Sequence, residues 1–500
     1  MSGGNMRAML GAGLLGFLVA CGAANDPKTD PSTTSASSAA SVAGAGGAGG
    51  GADAASNVAS AGVGGDPSTG AGGAPGYTIK GTFPSWHAPL VKSSVFFAPY
   101  DDLEARVLGE LGKATQSLKL AFFNTRLEKV KTLLAAKVKA GVDVQVLLDK
   151  KQQDESYNTM FEDLKAVGVP VSLVENTSAA DASLHTKFTI IDGLRVLTGS
   201  PNYSYTALNV SDEALLVMEN DEIAARFTEE FAELIAKGNA KSAPYGKDMV
   251  KAYMGPEDGL AAKLVTAIDA AKTSVVVAMF DMNTKALVDA LIAADQRGVK
   301  VVVVLDKKQA TDAAGTADEA LEAAGVPLVL ALNSGSNQAE MHSKYMVIDH
   351  QLTFVGSNNW TNLGSYYNDE SLLIVDDTML AARAEGNFAQ LLKTYKADLK
   401  KLGFSDAMVD LTLMVSNVVL EPGLELRLTS NKGGPFENSI ALDGNHILLK
   451  VPGGTRLDYS YEIVFGDTQL AVELGGKKLA HSFTMPFDAS AQLVTDAFLQ

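Results

Sequence analysis

The sequence predicts an α/β fold in which two tandem α-β-α repeats form one bilobal unit, followed by a small C-terminal all-β sandwich. Three observations carry this expectation. First, the pattern His-x-Lys-x-x-x-x-Asp occurs twice, as His185, Lys187, Asp192 and as His342, Lys344, Asp349. Second, the residues trailing each copy also recur: Gly199-Ser200, Asn202 and Glu213, then Gly356-Ser357, Asn359 and Glu370. Every member is displaced by 157 residues (342 − 185 = 157; 370 − 213 = 157). Pro99/Pro256, Asp101/Asp258, Phe123/Phe280, Gly141/Gly298 and Gly168/Gly325 keep the same spacing, as does the LDKKQ segment at 148–152 and 305–309. Third, apolar runs alternate with amphipathic segments inside each copy, the pattern of strands and helices in one layered domain. A repeat this long is a duplicated domain and not a solenoid unit.

Taken in order, the chain of 500 residues is too long for one core. Arg7 is the only charge before an apolar run at 8–20, which suits a signal peptide (1–20) and is too short to span a bilayer. Residues 21–76, rich in Gly, Ala and Ser, bury no core and read as a flexible tether. The 55 residues from 22 to 76 have a root-mean-square reach of about 40 Å.

Residues 77–245 and 246–402 are the two repeats. Helical spacing occupies 102–115 and 258–271, buried strands 118–123 and 275–280, and helices 127–140 and 284–297, each closed by a glycine. Strands at 142–148 and 299–305 follow, then a further helix, Gly-Val-Pro, and a short strand. This alternation predicts a mostly parallel sheet covered on both faces. The motifs fall on the next strands, 184–191 and 195–198, around an Asp192-Gly193 hairpin whose counterpart, Asp349-His350, is a weaker turn. With the turn centred between 192 and 193, His185 faces Ser200, and His342 faces Ser357. His, Lys, Ser and Asn then gather at one end. Asp192 and Asp349 lie at the other, where they hold the hairpin.

Residues 403–500 alternate at 411–415, 424–428, 447–451 and 459–465 with Gly/Pro-rich turns, as in a β-sandwich. The chain's two tryptophans, Trp86 and Trp360, both lie outside this tail, so a structural or docking role is expected of it.

The doubled motif resembles the HKD signature of the phospholipase D superfamily over roughly residues 90–400, including Gly-Ser-x-Asn and the downstream Glu. The resemblance implies two phospholipase D-like repeats forming one catalytic unit and a phosphodiesterase mechanism through a phosphohistidine. His185 is then the nucleophile and His342 the general acid, then base. Lys187 and Lys344 neutralise the phosphate, with Asn202 and Asn359 as neutral donors and Ser200 and Ser357 completing the substrate-binding group from behind. Glu213 and Glu370 orient the imidazoles, and Asp192 and Asp349 complete the catalytic set. Histidine is the side chain whose ordinary pKa allows a neutral nucleophile and a protonated acid near neutrality. No cluster has metal-ligand spacing such as HExxH, and neither metal nor cofactor is expected. Lys150-Lys151 and Lys307-Lys308 read as solvated loop. His87, His350, His446 and His481 have no repeat partner and read as incidental.

The segment 18–22 ends in Cys21, the only cysteine, and resembles a bacterial lipobox. It implies a lipoprotein anchored through Cys21, with Gly22 favouring the outer over the inner membrane. The expected substrate is a glycerophospholipid, cleaved to phosphatidic acid and the headgroup alcohol. The alternatives are a nuclease of the same superfamily and a non-catalytic envelope binding protein. The formal charge of −17 weighs against loose nucleic-acid binding. Because the duplication supplies both halves of a site, a monomer is expected.

Overall fold

The computed structural model describes residues 92–153, 158–236, 245–247, 249–311, 317–336, 338–405, 407–416, 425–430, 440–441, 446–465, 468–471, 473–474, 477–478, 480–487 and 491–497. The signal peptide, Cys21 and the tether lie outside these residues. Residues 83–500 cluster as one compact unit, and the following concerns that unit.

The first repeat runs β1 (Lys92–Ala98), α1 (Leu103–Gly112), β2 (Ser117–Phe122), α2 (Glu128–Lys139), β3 (Asp143–Asp149), α3 (Lys150–Gln153), α4 (Met160–Ala166), β4 (Val171–Val174), β5 (Lys187–Ile191), β6 (Arg195–Gly199), α5 (Tyr205–Asn209), β7 (Glu213–Glu219) and α6 (Asp221–Ala236). The second begins with β8 (Tyr245–Lys247) and β9 (Val250–Gly255). It continues α7 (Leu260–Ala270), β10 (Ser274–Met279), α8 (Lys285–Gln296), β11 (Lys300–Asp306), α9 (Lys307–Thr311), α10 (Ala317–Ala324), β12 (Leu328–Ala331), β13 (Lys344–Ile348), β14 (Leu352–Gly356), α11 (Asn362–Tyr366), β15 (Glu370–Asp376) and α12 (Thr378–Thr394). From β2 to α6, corresponding strands start 157 residues before their counterparts, as 117 does before 274 and 213 before 370.

The sheets are ordered β1-β7-β6-β5-β2-β3-β4 and β12-β11-β10-β13-β14-β15-β9-β8. They are mixed, which corrects the expectation of a mostly parallel sheet. Parallel pairing is confined to β2–β3–β4 and β10–β11–β12, where helical crossovers join the strands. Short turns join β5 to β6 and β13 to β14 and force antiparallel pairing there, and β7 and β15 add antiparallel to β6 and β14 after α5 and α11. Strands β1, β7, β9 and β15 were not legible in the sequence; β7 is buried from Glu213 to Met218, so no inside–outside alternation betrays it.

One face of each sheet contributes to a shared core, with Phe188, Leu216 and Phe227 from the first repeat and Tyr345, Leu373 and Phe388 from the second. Helix α6 touches β9 of the other repeat, and α12 touches β1. The outer faces have their own cores beneath α1, α2 and α4 and beneath α7, α8 and α10. Each fully buried Leu, Val or Phe contributes about 1.5–3 kcal/mol relative to exposure, so the shared face holds the repeats in one register. The repeated Pro-x-Asp closes the turn after β1 and β9: Phe97 N donates to Asp101 at 2.8 Å and Met254 N to Asp258 at 2.7 Å.

The tail forms small sheets from strands β16 (Met408–Ser416), β17 (Glu425–Ser430), β18 (Ile440–Ala441), β19 (His446–Pro452), β20 (Arg456–Phe465), β21 (Thr468–Ala471), β22 (Glu473–Leu474), β23 (Lys477–Lys478), β24 (Ala480–Thr484) and β25 (Ala491–Ala497). Their orders are β19-β16-β25 and β18-β17-β20-β21, with β24 on β20 and a β22–β23 ribbon. Strands β24 and β25 contact α12, and the Arg456 guanidinium lies 4.3 Å from the centre of the Tyr100 ring.

Candidate active site

The histidines are placed by backbone contacts between the repeats. Strand β5 begins at Lys187, so His185 precedes it, a correction to the strand expected from 184. Leu184 instead forms a parallel bridge with Asp369, and Met341 forms the corresponding bridge with Asp212. His185 N donates to Asp369 O at 3.0 Å, and Asp212 N to Glu340 O at 2.9 Å. The LDKKQ segments support the same residues. Asp149 accepts from Leu184 N at 2.9 Å, and Asp306 from Met341 N at 3.0 Å. Lys151 donates to Ala182 O at 2.7 Å and Lys308 to Ala339 O at 3.2 Å. These two lysines brace the loops leading to the histidines, where the sequence reading had solvated side chains.

The glutamates are exchanged. His185 Nδ1 is 2.7 Å from Glu370 Oε1, and His342 Nδ1 is 2.8 Å from Glu213 Oε1, so each imidazole is oriented by the other repeat. Lys187 Nζ donates to His185 O, and Lys344 Nζ to His342 O at 2.8 Å. Two aromatic rings that the sequence reading paired without assigning a role complete this layer. Phe123 packs edge-on against His185 at 4.9 Å and lies 5.2 Å from Lys187 Nζ; Phe280 does the same at 4.6 Å from His342 and 4.9 Å from Lys344 Nζ. Their recurrence directly after β2 and β10 was the available signal.

Asn202 accepts from Asn124 N at 3.2 Å. Among the described residues, Asn359 Oδ1 has no hydrogen-bond partner. The serines are fully buried and lie behind the site. Ser200 accepts from Ala214 N at 2.8 Å and Ser357 from Ser371 N at 2.9 Å, and Ser357 donates to Glu370 Oε2 at 2.5 Å. The glycine before each serine has a steric reason. A Cβ on Gly199 would sit 2.1 Å from Ala214 O, and one on Gly356 2.2 Å from Ser371 O.

The hairpin register differs by one from that expected. Ile191 pairs with Arg195 and Ile348 with Leu352, so three residues connect the strands and His185 would stand level with Pro201, not Ser200. Both connections have the same shape: Asp192 and Gly193 have φ of 52° and 66°, and Asp349 and His350 have 54° and 58°. His350 is held there by Glu385 at 2.8 Å, so it is part of the turn and not incidental. The Asp192 carboxylate accepts from Thr115, Gln116 and Ser117 amides and the Thr115 hydroxyl; Asp349 does so from Lys272, Thr273 and Ser274 amides and the Thr273 hydroxyl. These carboxylates bind the hairpin to the start of β2 and β10.

Burial shapes the electrostatics. It pushes His185 down to about 4, opposed by Glu370 and reinforced by Lys187 and Lys344. His342 is also held well below its ordinary value by burial and the two lysines. Burial lowers Lys187 to about 7 and Lys344 to about 8, with the glutamates opposing. The glutamates then diverge. Burial lifts Glu213 to about 8, opposed by Lys344, the Ser200 hydroxyl and Lys187. Burial also acts to raise Glu370, but His185, Lys187 and the Ser357 hydroxyl outweigh it and hold the carboxyl below its ordinary value. The lowered His185 and lowered Glu370 favour a neutral imidazole beside a carboxylate, with Nδ1–H toward Glu370 and Nε2 open, whereas the raised Glu213 leaves the His342–Glu213 pair richer in protons. Among the described residues the acids close enough to share a cation are Glu230, Glu233 and Glu257, none of them a motif residue.

The two repeats match the family profile described as "Cardiolipin synthase, PLD-like domain" over residues 107–235 and 264–392. The chain is 29% identical over 138 residues to the mitochondrial cardiolipin hydrolase of Xenopus laevis, covering 28% of this chain and 63% of that protein. It is 27% identical over 135 residues to the phospholipase D of Rickettsia felis, covering 27% of this chain and 65% of that one. The chain thus spans less than two thirds of the length of these relatives. Among solved structures, phosphatidylserine synthase of Haemophilus influenzae Rd KW20 aligns over 61% of this chain and 85% of that one, with a TM-score of 0.47 and 13% identity. With both repeats matched across more than half its length, the chain belongs to the PLD-like domain family, the family whose signature its two HxKxxxxD motifs resemble.

Proposed function

We propose that the chain is a phospholipase D-type phosphodiesterase that hydrolyses the headgroup ester of a glycerophospholipid. The observation that carries this reading is the exchange of His–Glu pairs between repeats, with Lys187 and Lys344 beside them. Relatives named cardiolipin hydrolase and phospholipase D support a phosphodiester substrate. In the proposed reaction the Nε2 lone pair of His185 attacks phosphorus. The bond from phosphorus to the headgroup oxygen breaks, and that oxygen takes the Nε2 proton of His342. Water then attacks the phosphohistidine, gives its proton to His342, and releases phosphatidic acid as the P–N bond breaks. An alcohol in place of water yields a phosphatidyl-alcohol. The lysines and the Asn202 and Asn359 amides stabilise charge on the phosphoryl oxygens from fixed positions.

The test is incubation of the full chain with phosphatidylcholine plus a primary alcohol, and separately with single-stranded DNA. Phosphatidyl-alcohol is the expected product; DNA cleavage without lipid turnover would transfer the assignment to a nuclease. His185→Ala and His342→Ala should each remove nearly all turnover, and wild-type rates in either would end the shared-site reading. We also propose that lipid on Cys21 anchors the protein to the outer membrane; palmitate labelling that survives Cys21→Ala would overturn this.

A further inference from the structure

The pseudosymmetry of the site breaks where the repeats differ in charge. Position 124 is Asn and its counterpart 281 is Asp (281 − 124 = 157); position 183 is Ser and its counterpart 340 is Glu (340 − 183 = 157). Asn124 is buried, its amide N bonds Asn202, and its side chain accepts from Asn158 at 3.4 Å. Asp281 is half-buried. It follows Phe280, whose ring packs on His342 and beneath Lys344, and whose N donates to Ser343 O at 3.0 Å. Asp281 O accepts from Trp360 N at 3.0 Å, which fixes it beside Asn359. Glu340 is also half-buried and stands two residues before His342. Both carboxylates act on Lys344; Lys308 also acts on Glu340, and the Met282 backbone amide bonds Asp281. Burial raises Asp281 to about 6 and Glu340 to about 7, the cost of holding these charges partly out of water.

Carboxylates beside a phosphate-binding lysine weaken the grip on an anion. The first repeat avoids this with Asn124 and Ser183, so the second repeat's acids need a different partner. They lie on the side of His342, the residue that protonates the leaving oxygen in the proposed reaction. We propose that Asp281, assisted by Glu340, is the specificity determinant of the leaving-group side, selecting phospholipids whose headgroup carries an ammonium. The proposal rests on the phosphodiesterase reading above. It also sets substrate orientation, with the headgroup over the second repeat and the diacylglycerol over the first.

The test compares the full chain and Asp281→Asn, the residue the first repeat uses, on phosphatidylcholine, phosphatidylethanolamine and phosphatidylglycerol in mixed micelles. Wild type should favour the two cationic headgroups by about tenfold or more in kcat/KM. Asp281→Asn should lose about tenfold on these, mainly through KM, and gain on phosphatidylglycerol, so that the preference collapses. Glu340→Ser should shift the ratio in the same direction and serves if the first variant folds poorly. A parallel fall on all three lipids would mean that Asp281 only tunes Lys344, and would overturn the proposal, as would a wild type without headgroup preference. Both outcomes leave the phosphodiesterase reading standing; absence of turnover on every lipid would remove both.

Discussion

Nδ1 of His185 lies 2.7 Å from Oε1 of Glu370, a residue of the other repeat. The mirror contact joins His342 to Glu213 at 2.8 Å. Neither repeat alone has a correctly oriented imidazole, and the two contacts are not equivalent: burial lifts Glu213 to about 8, whereas His185, Lys187 and the Ser357 hydroxyl hold Glu370 below its ordinary value.

That inequality predicts unequal losses. Glu370→Gln removes the charge that fixes the His185 tautomer, and kcat/KM should fall on the order of 10³-fold, as when the acid behind a catalytic histidine is neutralised. Glu213 already holds a proton near neutrality, so Glu213→Gln should cost only about tenfold. Equal losses in steady-state assays would contradict the assignment of His185 as nucleophile.

The pH profile of kcat/KM should be bell-shaped. His185, held down at about 4, supplies its lone pair at every higher pH, so the acidic limb falls as pH drops through that value. Lys187 at about 7 and Lys344 at about 8 lose their charge as pH rises, and Glu213 loses its proton at about 8. Activity should therefore decline above neutrality, which a rate profile across this range would check.

Glu213 also links pH to stability. Its folded value of about 8 stands above the ordinary 4.5, so the folded chain keeps a proton that the unfolded chain has lost. Stability from this group falls as pH rises through that interval and levels off above about 8. Glu213→Gln removes the titration, so its melting temperature relative to wild type should climb between about pH 5 and pH 8. A constant difference in calorimetry would refute it.

Asp192 and Asp349 should prove structural. Replacing Asp192 by Ala strands three backbone amides that it now satisfies. A loss of about 1–3 kcal/mol is expected in urea unfolding, with kcat of the folded fraction little changed. Collapse of kcat without loss of stability would put Asp192 in the chemistry.

Gly356→Ala places a methyl 2.2 Å from Ser371 O, inside the β14–β15 ladder. Rigid backbone cannot yield cheaply there, and destabilisation of roughly 3 kcal/mol or more is expected. A thermal melt matching wild type would show that the strands can part.

Much of this was readable from residues alone. The constant spacing of 157 placed the paired helices α1, α2, α7 and α8 to within a few residues, because a gapless duplication copies every apolar face and cap together. The strand pairing was less legible: β7 is buried on both faces, and parallel order was inferred from crossovers that exist only from β2 to β4 and from β10 to β12. The hairpin register slipped by one because Asp-Gly signals a two-residue turn, whereas Ile191 pairs with Arg195. Lys151 and Lys308 looked solvated because nothing in LDKKQ reveals the carbonyls of Ala182 and Ala339 that they meet.

Which glutamate serves which histidine is the deepest division. Composition and spacing determined the chemical inventory: two imidazoles, two ammonium groups and two carboxylates, each in duplicate context. A repeat with one constant offset cannot distinguish a contact within a copy from one between copies, since both preserve the spacing. Only the packing of the two sheets on a common core decided it, by bridging Leu184 to Asp369 and Asp212 to Met341. The same packing buried both pairs and gave their carboxyls different neighbours, and a carboxyl's proton depends on its surroundings more than on its name.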